Sequence, residues 1–202
     1  QAMIYTLAVH IPVVGLSILP VIFGLPLLLT PLHIAFLELV IDPACSIVFE
    51  AENGKKALMQ QAPRRTSEPL LSLPDAIQAI GFGTLTTVVC FAAYYALLQA
   101  DQPVRTASAL VFVLLVVTNT ALILPSRSRK HSWRALWQGL PGVSLAVICA
   151  TLAGLWLVTQ VAAVAVAFRF TPLPVEYWLL GLLAGLLMLP LFQLIKLPRS
   201  MH

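Results

Sequence analysis

The sequence predicts an all-α fold, a polytopic membrane helix bundle with six transmembrane helices. Three observations lead there. Hydrophobic residues make up 59% of the 202-residue chain and charged residues only 10%, whereas soluble domains carry about 25% charge. Six apolar stretches are each long enough to cross a bilayer. The basic residues are gathered into alternate connections between those stretches.

The first stretch runs roughly from Met3 to Phe23 and is interrupted by Pro12 and Pro20. Proline lacks an amide hydrogen and clashes with the carbonyl four residues earlier, so broken helices are expected here. The short connection FGLP makes the first and second stretches an antiparallel hairpin. The second covers Leu25 to Phe49, with Pro26 and Pro31 near its start and Pro43 inside it. A polar connector from Glu50 to Asp75 follows. The remaining stretches are Ala76–Leu98, Thr106–Leu124, Pro141–Phe168 and Val175–Ile195. The fifth exceeds the ~20 residues a span needs, so it is expected to be tilted or partly interfacial. The organisation is thus a hairpin over 1–49, a connector over 50–75 and a four-helix membrane region over 76–202.

Lysine and arginine counts set the orientation. Lys55, Lys56, Arg64 and Arg65 follow the second stretch, Arg127, Arg129, Lys130 and Arg134 the fourth, and Lys196 and Arg199 the last. The opposite side has only Arg105 and Arg169. Ten positives against two place both termini and the two long loops in the cytoplasm. The formal charge of +4 belongs to this asymmetry and does not suggest nucleic-acid binding. The chain begins QAMIYTL without a basic region, so an amputated start is expected and a secretory signal is not. Cys45, Cys90 and Cys149 lie in apolar stretches without CxxC spacing and read as single buried thiols.

Against this apolar background Glu38 and Asp42 stand out in AFLELVIDPACSIVFE. An acid near a bilayer centre costs about 2.5–3.5 kcal/mol, while each Leu, Ile or Val returns only about 0.3–0.6. Spacing of i and i+4 puts both carboxylates on one helix face. Pro43 frees the Leu39 carbonyl beside them. Carboxylates and free carbonyls in a dry interior suit a hard cation. An internally hydrogen-bonded structural pair is the competing explanation, but no lysine or arginine lies within any stretch to partner it.

Three segments resemble the C-terminal transmembrane half, helices five to ten, of P-type cation-pumping ATPases, nearest the calcium-pump-like P2 branch. GLPLLLTPLHIAFLELVID is similar to the hairpin entering that family's sixth membrane helix. APRRTSEPLLS resembles the loop element after it, and AVHIP the unwound part of the fifth helix. The resemblance implies a cation site in which Asp42 is the central aspartate and Glu38 stands one turn earlier, where those pumps have Asn. It puts His10 at a liganding Asn, Ile41 at a liganding Thr and Val13 at a liganding Glu. The fourth stretch supplies Thr118 and Asn119 but no acid. A single ion site built on Asp42 and Glu38, with His10, Thr118 and Asn119 as further candidates, therefore fits better than a pair. The implied cation is Ca²⁺, with Mn²⁺, Na⁺ or H⁺ open.

The motifs DKTGT, TGES and GDGxND of the family's ATP-hydrolysing domains do not occur. No bound cofactor is expected for these residues, and Mg-ATP is expected only for a full-length pump. The implied partners are the lipid bilayer, an inorganic cation, and the remaining helices and cytoplasmic domains of the same pump, in the cell (plasma) membrane. His10 can also be a packing residue, Asn119 an interhelical hydrogen bond, and His33, near the outer end of its stretch, an interfacial residue. Glu50 and Glu52 read as solvated. There is no HExxH, the GFGT at Gly81 is not a GxGD motif, and Ser17 has no catalytic histidine partner. The alternative is a non-catalytic membrane module that anchors or assembles with a partner.

The orientation is directly testable. Cysteines introduced at Lys55 and Arg129 are expected to react with a membrane-impermeant thiol reagent from the cytoplasmic side only, and labelling of both from outside would overturn it.

Overall fold

The structure, a computed structural model, describes residues 2–43, 47–49, 72–127 and 142–195. Among the described residues seven helices follow one another: α1 (Ala2–Ile22), α2 (Pro31–Pro43), α3 (Leu73–Gln99), α4 (Val104–Arg127), α5 (Gly142–Gln160), α6 (Ala162–Ala167) and α7 (Val175–Ile195). Five of them, α1, α3, α4, α5 and α7, are long and apolar enough to span a bilayer. The connector and Cys45, Glu50, Glu52, Lys55 and Arg129 lie outside the described residues.

The second stretch is not one long helix in the described residues. Residues Leu25 to Thr30 are non-helical and α2 begins at Pro31, giving it 13 residues. Proline is suited to the first helical turn, where its missing amide hydrogen would have no partner anyway. The chain enters through Gly24, whose φ of 65° is the left-handed region that glycine occupies freely. Exposed backbone in a membrane must find partners, and this segment does. The Leu25 amide donates to the Pro20 carbonyl at 2.7 Å, and the Tyr94 hydroxyl donates to the Pro26 carbonyl at 2.9 Å. The hairpin connection is therefore longer than FGLP suggests.

Pro12 and Pro20 do not interrupt α1, which is continuous over both. The carbonyl four residues before Pro12 belongs to Ala8, and it lies against Gly83 of α3, 2.8 Å from where a Cβ would stand. Close approach of the neighbouring backbone accommodates the freed carbonyl. The fifth stretch is broken rather than simply tilted. Val161 is extended (φ −79°, ψ 110°) and separates α5 from α6. Thr159 stands at the break: its hydroxyl donates to the Leu155 carbonyl at 2.7 Å, and its own carbonyl accepts from the Leu173 amide at 3.3 Å. The chain reverses after α6 through Arg169 at φ 56°.

At the start of α3, Ser72 caps the helix, accepting from the Asp75 amide at 3.4 Å and donating to its carboxylate at 2.6 Å. The centre of the bundle is α4, whose apolar span is buried along its length. Glycines bring neighbours close. Gly181 and Gly185 of α7 pack on Val113 and Val117 of α4, and Gly83 of α3 packs on Ile11 of α1 while Gly15 of α1 packs on Thr87. Each pair advances in the same direction along both helices, so α7 runs parallel to α4 and α1 parallel to α3. Cys90 is a buried thiol as expected, but Cys149 is exposed on α5.

A methyl group at Gly83 would stand 2.6 Å from Ile11 Cβ, and at Gly185 2.6 Å from Val117 Cγ1. Gly83→Ala and Gly185→Ala are each expected to destabilise the protein by about 1–3 kcal/mol. Gly142→Ala, with nothing within 4 Å, is expected to leave the thermal midpoint in detergent unchanged.

Candidate cation site

Of the five candidate ligands, the structure brings two together directly. His10 Nε2 lies 3.5 Å from Glu38 Oε1, across the interface of α1 and α2. His10 stands ~12 Å along a helix roughly 31 Å long, well inside the span. Its Nδ1 is 2.7 Å from the Thr6 carbonyl. A carbonyl can only accept, so Nδ1 carries a hydrogen; when the ring is neutral its lone pair is on Nε2, the nitrogen that faces Glu38.

Both side chains remain about two-fifths exposed, 41% for His10 and 40% for Glu38. Met3, Val14, Ile18 and Val21 of α1 and Leu39 of α2 are also exposed. At helical spacing these residues of α1 share a face with His10. The pair thus opens on a side of the bundle that the described residues leave uncovered.

Asp42 is the penultimate residue of α2; its side chain lies outside the described residues. Thr118 and Asn119 are on α4, each 1% exposed, and among the described residues neither the Thr118 hydroxyl nor either end of the Asn119 amide has a hydrogen-bond partner. The expected interhelical hydrogen bond of Asn119 is therefore not seen. His10 and Tyr5 of α1 meet Glu38 and Phe49 respectively, so α2 runs antiparallel to α1. Gly81 meets Ile195 and Phe82 meets Phe192, so α7 runs antiparallel to α3, which leaves α2 and α4 pointing the same way. Phe36 contacts Phe112. Asp42 and Thr118 each stand six residues further along their helices from that contact. Among the described residues no group of three His, Cys, Asp or Glu side chains forms a metal cluster.

His33, expected to be interfacial, is buried, at 1% exposure. The Thr30 amide donates to its Nδ1 at 3.0 Å, and Nε2 donates to the Phe168 carbonyl at 2.7 Å. Phe170 stacks on the ring at 4.5 Å, with Phe168 and Phe112 around it. Both nitrogens are used, so His33 cannot ligate an ion in this arrangement; it ties the start of α2 to the turn after α6. Position near a span end carried no signal of this, because the partners are up to 135 residues away. Ser17 donates to the Val13 carbonyl at 2.7 Å, the helical back-bond of a packing serine.

An acid and an imidazole thus face one another inside a membrane bundle. The profile of the family "Cation transporting ATPase, C-terminus" matches residues 26–197. The chain belongs to that family: it is the C-terminal membrane region of a P-type cation-transporting ATPase. No curated protein sequence matches it.

The His33 latch can be checked through stability. His33→Phe keeps the aromatic stacking but leaves the Thr30 amide and the Phe168 carbonyl unpaired, at about 1–3 kcal/mol each. The thermal midpoint is expected to fall by more than for His10→Phe, whose ring bonds a helical carbonyl that already has a backbone role.

Proposed function

We propose that these residues form part of the ion pathway of an ATP-driven pump, with Glu38 and Asp42 supplying carboxylates to a single transport site. His10, Thr118 and Asn119 are the further ligands. The observation that carries the reading is the facing of His10 Nε2 and Glu38 Oε1 at 3.5 Å inside the membrane span. No lysine or arginine occurs between Gln1 and Glu50 to neutralise the acids. A cation between the groups does so, at a site where carbonyl oxygens near Pro43 can add to the ligand set.

The transported ion is the substrate of this site. The two carboxylates with amide and hydroxyl oxygens suit a divalent cation, and on oxygen ligands alone Ca²⁺ is the natural occupant, as in the calcium-pump-like branch. Hydrolysis of Mg-ATP belongs to parts of the pump beyond these 202 residues. The remaining helices of that pump cover the open side of α1 and α2. Both termini of the chain lie in the cytoplasm and the pump in the plasma membrane.

The test is charge removal at constant shape. In the full-length pump, Asp42→Asn and Glu38→Gln are each expected to raise the cation concentration that half-activates phosphoenzyme formation from ATP by at least about tenfold. Asp42→Asn is expected to have the larger effect, and Val13→Ala serves as a packing control. Retention of wild-type cation dependence by Asp42→Asn would make the acids structural.

A further inference from the structure

We infer that His10 is a direct ligand that sets the ion preference of the site, moving it from Ca²⁺ toward a first-row transition-metal dication such as Mn²⁺. This rests on the proposal that Glu38 and Asp42 bind the transported cation. Three observations lead to it.

The first is the hydrogen bond at Nδ1. Histidines that ligate metals almost always donate their other ring N–H to a carbonyl or carboxylate, which fixes the ring and strengthens the donor nitrogen. His10 has that outer contact in place, Nδ1 to the Thr6 carbonyl at 2.7 Å. Residues Thr6 and His10 are one helical turn apart, so α1 itself holds the ring.

The second is the separation of the two facing atoms. At 3.5 Å, Nε2 and Oε1 are beyond good hydrogen-bond distance. A cation about 2.1 Å from each would see them at roughly 110°, an ordinary angle between two ligands of one ion. At the ~2.4 Å of a calcium ligand the angle is roughly 95°, so spacing alone admits both classes.

Ligand chemistry decides between them, and it is the third observation. Ca²⁺ takes oxygen ligands, whereas imidazole nitrogen suits transition metals. An imidazole held with its lone pair toward a carboxylate is a mixed nitrogen–oxygen set. Mn²⁺, the most oxygen-preferring of the first-row dications, still accepts an imidazole beside carboxylates, while Ca²⁺ gains little from the nitrogen. The half-exposure of both side chains leaves room for ligands from the uncovered side.

The experiment uses the full-length pump without nucleotide, with Mn²⁺ and Ca²⁺ as the probes. Electron spin-echo spectroscopy of bound Mn²⁺ is expected to show coupling to one directly ligated ¹⁴N in the wild type. His10→Asn and His10→Gln, which offer an amide oxygen instead, are expected to abolish that coupling. The ratio of Mn²⁺ to Ca²⁺ affinity in the variants is expected to fall at least tenfold. Two variants guard against a failure to fold, which the thermal midpoint reports. Absence of ¹⁴N coupling in the wild type, or an unchanged affinity ratio in a folded His10 variant, overturns the inference. Asp42→Asn separates this from the underlying site: loss of both ions there upholds the carboxylate site whatever His10 does. Wild-type binding of both ions by Asp42→Asn would remove the site, and the inference with it.

Discussion

Helices in hydrocarbon gain nothing from the exclusion of water, so close packing has to hold them together. In this bundle that packing is concentrated at two glycine seams, one between α1 and α3 and one between α4 and α7. The absent side chains at Gly83 and Gly185 let Ile11 and Val117 approach to 2.6 Å of where a Cβ would stand. Dispersion contacts fall off steeply with distance, and a small added gap forfeits much of them. The first seam matters for the candidate site because α1 carries His10. Its contacts at Ala8, Ile11 and Gly15 lie on both sides of that residue, so the seating of α1 on α3 fixes where the imidazole can meet α2.

Hydropathy made the bundle readable and its interruptions less so. A window of apolar residues reports the cost of leaving water, and that cost is the same for a helix and for a non-helical segment with satisfied backbone. The non-helical run from Leu25 to Thr30 is as apolar as a helix. It is tolerated because the distant Tyr94 hydroxyl donates to the Pro26 carbonyl and His33, three residues on, accepts from the Thr30 amide. The break at Val161 likewise has no proline or glycine to announce it, and Leu173 closes it by pairing with Thr159. Pro12 is the opposite case. Sequence alone marks it as a helix breaker, yet α1 passes through it because the freed Ala8 carbonyl sits against Gly83.

The candidate site divides along the same line. Glu38 was legible because an acid in an apolar stretch carries an insertion cost that nothing nearby offsets, and Asp42 for the same reason. The partner of Glu38 was not, since the contact of His10 with it depends on the crossing of α1 and α2. His33 shows the reverse error. Its place near the end of an apolar stretch suggested water, but three phenylalanines drawn from α4 and the turn after α6 enclose it. Two histidines of one hairpin therefore have different chemistry. One spends both nitrogens on backbone groups, while the other spends one and presents its second to a carboxylate.

That difference also explains why the half-exposed pair is tolerable. A buried His33 with both nitrogens satisfied costs little and holds the start of α2. His10 and Glu38 have unsatisfied capacity within a membrane span, on the same face as Met3, Val14 and Ile18. Left against lipid, an ionised carboxylate there would cost about 2.5–3.5 kcal/mol even on the lenient scale. An apolar helix can meet lipid on the Val14 and Ile18 positions, but the carboxylate opposite His10 needs protein, water or an ion. A face that combines apolar flanks with a polar centre is suited to packing against further helices around a hydrated cavity. The α1–α2 hairpin therefore presents the His10–Glu38 pair on the face where further helices can pack.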